Sequence, residues 1–287
     1  MGNGLPDFDQ LWDYDHPAET EQKFRALLDT AKGSGDTLYY TQLLTQIART
    51  QGLQRKFDAA HRTLGEVQSL LKGDLVRGRA HIRYLLERGR TFNSSKHPEL
   101  ARPLFLEAWE MAQQVGEDFY AVDAAHMLAI VETGGEQLEW NLKAVAAAEK
   151  SADPKARKWL GSLYNNIGWT HHDAGRYEEA MEMFEKALKF RQQQGDEPQI
   201  QIAKWCVARC LRSLGRVDEA LAVQRVLEQN GEGMYVYEEI AECLLLLKRE
   251  AEARPYFAKA YEMLSKDPWL AENESARLER LKELGQV

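Results

Sequence analysis

His171, His172 and Asp173 form the one run in this sequence whose residue types could hold a metal ion, since imidazole nitrogens and carboxylate oxygens are ordinary zinc ligands. Their spacing argues against it. Neighbouring residues on a helix point about 100° apart, so the two imidazoles cannot face one ion without distortion. His171 is read instead as a packed core residue. Cys206 and Cys210 lie four apart and share a helix face, a spacing that would suit a redox or metal pair. The chain has only three cysteines, with no framework spacing, and small buried thiols are common in helical cores. No G-x-x-x-x-G-K-[ST], G-x-G-x-x-G after a strand, G-x-S-x-G, H-E-x-x-H or C-x-x-C occurs. The residues give no reason to expect an enzyme, a cofactor or a bound metal.

The elements that carry these residues repeat. Ala101-Arg102-Pro103, Phe105, Ala108 and Glu110-Met111 recur as Ala253-Arg254-Pro255, Phe257, Ala260 and Glu262-Met263. Anchored on Tyr164, Ile167-Gly168, Gly175, Tyr177, Ala180, Phe184 and Ala187, one phase recurs from Thr41, Ile82, Ala121, Gly161, Gln201 and Met234, at separations of 41, 39, 40, 40 and 33 residues. The eighth places are Ala48, Gly89, Leu128, Gly168, Ala208 and Ala241; the twentieth are Ala60, Ala101, Trp140, Ala180, Ala220 and Ala253. Small residues at a fixed phase let two helix backbones approach, while larger neighbours at i, i+3 and i+4 fill the space between them. Each unit is therefore expected to be a packed helix pair. Trp140 and Arg88 break the pattern, and the unit from Ala121 is the one whose phase is open to a slip of one position.

These small-residue places, with the W-x2-L-G-x2-Y and A-x3-F pattern they belong to, resemble the tetratricopeptide repeat. The resemblance spans residues 41–266. It implies an all-α, right-handed α-solenoid of about six helix pairs, preceded in residues 1–40 by an extended stretch and one extra helix and closed in residues 267–287 by a capping helix. The extended stretch is acidic and aromatic, with Phe8, Leu11, Trp12 and Tyr14; the extra helix is expected over Pro17–Ala31 and the cap over Pro268–Leu284. A spacing near 40 residues is similar to the long repeats of kinesin light chains and of bacterial peptide-sensing regulators. Pro103 and Pro255, at equivalent places in two second helices, are expected to bend both.

In such arrays the first helix of each pair lines a concave groove. The resemblance then aims at a ligand Gln42, Thr45, Gln46 and Arg49; Arg83, Glu87, Arg90 and Asn93; His126; Asn165, Asn166, Trp169 and His172; Trp205, Arg209 and Arg212; and Tyr235, Glu238, Glu239 and Glu242. Asn166 resembles the asparagine with which peptide-binding repeats grip a peptide backbone. Of these residues, Arg49, Arg83, Arg90, Asn165, Asn166, Trp169, Trp205, Arg209 and Arg212 are the candidate binding set. Arg49, Arg90 and Arg209 share the ninth place, a basic row in a chain whose formal charge is −8. Guanidinium forks bind carboxylates bidentately and amides pair with exposed backbone, so the row suits an extended acidic or carboxylate-ended segment. The competing expectation is that these arginines pair with Glu87, Glu132 or Glu139, and that Trp169 and Trp205 are core.

The function expected is a scaffold or adaptor that holds a protein or peptide partner in the groove. The alternative is a peptide-sensing bacterial regulator acting by protein contact, since residues 1–40 show no recognition-helix pattern. RNA binding ranks third, because phosphate contact wants a net basic chain. No apolar run exceeds about five residues, far short of the roughly 20 that cross a bilayer, so a membrane partner is not expected. Met1–Pro6 lacks a basic-then-apolar leader and a myristoylation pattern, and the expected location is cytoplasmic.

Overall fold

The computed structural model describes residues 5–231 and 233–287, which form helices and their connections with no strand among them. Met1–Gly4, on which part of the leader argument rests, lies outside the described residues. The chain divides into two compact units, Met1–Trp159 and Leu160–Val287.

In unit 1 a single turn at Phe8–Gln10 is followed by α1 (Pro17–Ala26) and α2 (Leu28–Gly33). Three pairs come next: α3 (Thr37–Leu53) with α4 (Phe57–Leu70), α5 (Arg79–Ser94) with α6 (Pro98–Val115), and α7 (Asp118–Val131) with α8 (Gly134–Lys150), ahead of the short α9 (Pro154–Lys158). Unit 2 pairs α10 (Leu160–Asp173) with α11 (Tyr177–Gln194), α12 (Glu197–Ser213) with α13 (Val217–Asn230), and α14 (Met234–Leu246) with α15 (Glu250–Leu264), and ends in α16 (Pro268–Asn273) and α17 (Ser275–Gly285). All six expected unit starts fall in the first helix of a pair. The helices begin where their chemistry says they should. Pro17, Pro98, Pro154 and Pro268 are first residues of α1, α6, α9 and α16, where a missing N–H costs nothing, and the Asp36 and Asp196 carboxylates accept from Tyr39 and Gln199 N–H groups.

The small places do the packing. Ala48, Ala208, Ala241, Ala60, Ala101, Ala180, Ala220 and Ala253 are at most 1% exposed. At Gly89 and Gly168 even an alanine would not fit: a Cβ would stand 2.4 Å from the Phe105 ring and 2.5 Å from the Phe184 ring, both fully buried. The turn inside each pair is equally periodic. Arg55, Lys96, Gly175, Gly215 and Lys248, all at the fifteenth place, have φ between 59° and 77°. The exception is the unit from Ala121, where Gly134, one place earlier, carries the positive φ of 61°. Its second helix has slipped too: Ala144 and Ala148 are fully buried, while Ala147, the place the phase selects, is not. Trp140 fits there at 9% exposure by packing edge-on to Trp109.

Both terminal helices differ from expectation. The helix expected over Pro17–Ala31 is two, α1 and α2, divided at Leu27, and the expected single cap over Pro268–Leu284 breaks at Glu274, whose φ of −127° is not helical. The second break lets α17 lie along α15 so closely that a Cβ on Gly285 would meet the Ala258 backbone nitrogen at 2.7 Å. Pro103 and Pro255 do lie inside α6 and α15. Among the described residues no helix is long and apolar enough to cross a membrane.

Candidate functional site

In unit 1 the groove charges of Arg49 and Arg90 are already matched. Arg90 projects from α5 between Glu87, 2.6 Å away one turn earlier, and Asp123 of α7, which it also bonds. Burial alone would lower the Arg90 guanidinium; the two carboxylates more than reverse that and hold it above its usual value. Arg49 of α3 reaches the same Glu87 at 3.7 Å, but there burial wins and its pKa is depressed. Arg49 and Arg90 line a polar cavity of about 390 Å³ with Glu87, Thr91 and Ser94. Of the expected partners, then, Glu87 does pair with the row. Glu132 and Glu139 serve other cations, Arg102 at 2.5 Å and Lys143 at 2.7 Å.

Arg83 is held differently. Its guanidinium lies 5.4 Å from the centre of the Phe8 ring and 5.5 Å from that of Tyr120, and donates to Gln42 at 3.4 Å. Phe8 belongs to the segment before α1, which crosses the inner residues of α3. The Tyr39 hydroxyl donates to the Pro6 carbonyl at 2.9 Å, and the Trp12 indole donates to the Gln46 side chain at 2.9 Å. Beside this segment a cavity of about 550 Å³ is lined by Leu5, Pro6, Phe8, Tyr39, Arg79, Arg83, Phe119 and Tyr120, among others.

Unit 2 presents apolar surface instead. Trp169 of α10, Trp205 of α12 and Tyr235 of α14 form an aromatic file, with ring centres 5.9 Å and 6.0 Å apart along it. Both tryptophans are part-exposed, and the Trp205 indole donates to the Tyr235 carbonyl at 3.2 Å. They line a cavity of about 780 Å³ with Asn165, Gln201, Ile202, Leu227, Asn230, Met234 and Met263; its described lining carries no charged side chain. One cause is visible in the repeat. Where the unit spacing falls to 33, α13 has 14 residues against 18 in α11, and the cavity opens at its shortened end, by Leu227 and Asn230.

Farther along α12, Arg209 and Arg212 both bind Glu239 of α14, at 3.0 Å and 2.7 Å. Burial works against the Arg212 charge, but the hydrogen bonds and charge of Glu239 lift it above its usual value. Glu238 and Glu242 of α14 are taken by Arg277 and Arg280 of α17. By directly bonded groups, two arginines against one glutamate leave the Arg209, Arg212, Glu239 cluster with one positive charge over, Glu242 acting on Arg212 while bonded to Arg280, whereas Arg49 and Arg90 against Glu87 and Asp123 leave none.

Asn165, Trp169 and Trp205 thus meet at one cavity, Arg209 and Arg212 at one carboxylate, and Arg49 and Arg90 at another; Asn166 is part-buried on α10 beside them in sequence. Sequence reasoning missed Ile202 as a lining residue, although it sits at a groove place of its unit and is 48% exposed. It also chose the wrong core histidine. His172, four residues from Gly168 and on its face, is the buried one, against Trp169 and Tyr177 and 2.9 Å from the Ser213 hydroxyl, while His171 is part-exposed and accepts from Arg176. The cysteines are buried, and burial raises Cys206 and Cys210 to about 11 and Cys243 to about 12, so all three stay as thiols; Cys206 donates to the side-chain Oδ1 of Asn165 at 3.2 Å. Among the described residues no group of three or more His, Cys, Asp or Glu is placed to hold a metal ion.

Two family models of the tetratricopeptide repeat match the sequence, over residues 160–193 and 208–268. No curated protein matches it. Among solved structures the chain is similar to a signal transduction ATPase with numerous domains and a tetratricopeptide-repeat sensor from Pyrococcus horikoshii, at 15% identity and a TM-score of 0.71. That likeness covers 93% of this chain and 42% of the other, so this chain spans less than half that protein's length. It is also similar to the apo form of RapI, at 13% identity and a TM-score of 0.72 over 98% of this chain and 81% of that one. A third likeness is to NprR in complex with its cognate peptide NprX, at 16% identity and a TM-score of 0.58 over 96% and 81% of the two chains. At such identities the likeness is one of fold.

Proposed function

We propose that this chain, a tetratricopeptide-repeat protein, is a non-catalytic interaction scaffold that holds an extended peptide segment of a partner on the inner face of unit 2. The observation that carries the reading is the aromatic cavity between Trp169, Trp205 and Tyr235, whose described lining carries no charge. Its volume, about 780 Å³, is in the range of ordinary ligand sites, and part-exposed tryptophans in a concave setting are the residues that dominate binding energy when covered. An apolar side chain of the partner fills it, and Asn165, Gln201 and Asn230 are amides at hand for the partner's backbone. The surplus positive charge at Arg209 and Arg212 suits a carboxylate elsewhere on the same segment, a side chain or a chain end. A general acidic preference has less support, because Arg49 and Arg90 are already paired with carboxylates.

The likeness to NprR, a protein crystallised with its cognate peptide, supports a second reading in which the bound peptide is a signal and the output is contact with another protein. Both readings use the same cavity. They are tested by screening a peptide library against the full chain and repeating the screen with Trp205→Ala, a substitution at a part-exposed site. Enrichment of peptides with one fixed apolar position, at least about tenfold weaker on Trp205→Ala at unchanged helicity, is expected for a hot-spot residue. Peptides that bind both proteins alike would move the site off this cavity. Peptide should also raise the melting temperature, and go on raising it with the logarithm of its concentration above the Kd, since it binds only the folded chain.

A further inference from the structure

Unit 1 has its own inner face, and part of it is covered by the chain itself. Residues 5–15 run over α3 and α5 with one turn of helix at Phe8–Gln10, and combine aromatic side chains with Asp7, Asp13 and Asp15. Phe8 is the buried anchor, 7% exposed, with its ring 4.7 Å from Tyr39 and under the Arg83 guanidinium. Trp12 is the second anchor, bonded to Gln46 and edge-on to Phe24 of α1 at 5.3 Å. We propose that this face is a second binding site, for acidic segments bearing two spaced aromatic residues, and that residues 5–15 are its resident occupant, displaced when a partner segment of the same chemistry arrives.

Three features separate such an occupant from a fixed cap. The first is how it is held. The backbone bonds within residues 5–15 are local, Gln10 to Asp7 and Leu11 to Phe8, and among the described residues none joins this backbone to that of α3 or α5. Attachment is through side chains, those of Phe8 and Trp12 and, onto the segment's backbone, the hydroxyls of Tyr39 at Pro6 and of Thr20 at Asp13, so release breaks no helix or ladder. The second is incomplete cover: the cavity of about 550 Å³ between Leu5–Phe8 and Tyr39, Arg79, Arg83 and Tyr120 is room the segment leaves on the same face. The third is chemical match. Arg83 lies between two aromatic rings, Phe8 and Tyr120, and lines the cavity as a cation for an aromatic or acidic group, whereas Arg79 there is already bonded to Glu117. A tethered occupant competes at high effective concentration, so a free segment binds with its affinity reduced by the fraction of time the face is open. The proposal is independent of the unit 2 cavity.

The test uses a fluorescent synthetic peptide of residues 5–15 and the full chain. With Phe8→Ala the tethered segment loses its anchor, and the peptide should bind at least about tenfold tighter than it does to the unsubstituted chain. Adding Arg83→Glu to that variant should abolish the gain. Equal affinity for the unsubstituted and Phe8→Ala proteins, or no binding to Phe8→Ala, overturns the proposal. Should Phe8→Ala reduce helicity, hydrogen exchange on the unsubstituted chain decides: amides of residues 8–13 should exchange through openings that leave α3 protected. Exchange of the two only together would make the segment a structural cap and end the idea.

Discussion

Units 1 and 2 share a repeat phase, a glycine against a buried phenylalanine and an arginine at the ninth place, yet their inner faces hold different things. In unit 1 Arg49 and Arg90 share two carboxylates, Arg83 is held by aromatic rings instead, and the chain's own Phe8 and Trp12 lie over α3. In unit 2 one carboxylate serves two arginines, and the aromatic file opens onto a cavity whose described lining is uncharged. The lesson is that the small places of the repeat fix how helices nest, while the groove places are free to be spent on internal pairing or on a ligand. A residue's phase says which way it points, and only its neighbours on the next helix say whether it is available.

The sharpest way to break that contrast is to remove the matching charge. In unit 1, Asp123→Ala leaves the buried Arg90 with only Glu87, which Arg49 also uses. Removing one member of a buried pair strands the other charge, so a loss of about 3 kcal/mol is expected in chemical denaturation. Glu239→Ala in unit 2 strands Arg209 and Arg212, whose side chains are 25% and 16% exposed, and water should limit the loss to about 2 kcal/mol. Equal and small losses would mean that the pairs are idle and the arginines available after all. For the same reason Arg90→Glu, attractive on sequence grounds as a probe of acidic ligands, would report on the fold rather than on binding.

A smaller effect tests what the units share. Gly89→Ala and Gly168→Ala each press a Cβ onto a ring that has no room to move, and overpacking of this kind costs about 1–3 kcal/mol, reduced by up to about 1 kcal/mol of better helix propensity. Thermal melts should show the two substitutions to be alike; a loss confined to one unit would mean that the matching phase hides different packing.

How much of this was legible in the sequence follows the same division. The six pairs could be read because Ala and Gly at fixed places have one use in a helical repeat. The slip in α8 announced itself at Trp140, and its direction could not be read because it depends on the turn at Gly134. The nine candidate site residues were found as directions, not as states. Arg90 and Asp123 are 33 residues apart, and nothing in their local sequence says that the two side chains meet. Glu87 could be named as a partner because it lies one turn away on the same helix. The cavity of unit 2 had a trace in the short spacing of 33 residues before Met234 and in the aromatics Trp169, Trp205 and Tyr235 at groove places of three successive units. The seating of Phe8 and Trp12 left none, since an extended segment carries no period that fixes what it will lie against.

The smallest expected effect is a pH dependence, and it compares one histidine from each face. His126 in unit 1 lies below the ordinary imidazole value because of burial, aided by Arg90 and opposed by Asp123; His172 in unit 2 is lowered by burial and then by Arg209, with Asp173 opposing. A histidine whose folded pKa is depressed takes up more protons when unfolded, so its stabilisation is complete above the unfolded value, near about 6.5, and is lost as pH falls through the folded one. His61 and His171 are shifted the same way, both mainly by burial. Exposed His16, raised by its hydrogen bond to Asp13, acts in the opposite sense, but the four lowered histidines outnumber it; melting temperature should therefore fall between about pH 7.5 and 5.5, and His126→Gln or His172→Gln should each flatten part of that slope. Because the cation that lowers His172 belongs to the under-matched cluster of unit 2, a peptide carboxylate bound at Arg209 would weaken that repulsion and raise the His172 pKa. The slope should then shrink with peptide bound in the unsubstituted chain and stay unchanged in His172→Gln. A slope indifferent to both the substitution and the peptide would detach His172 from the proposed carboxylate site.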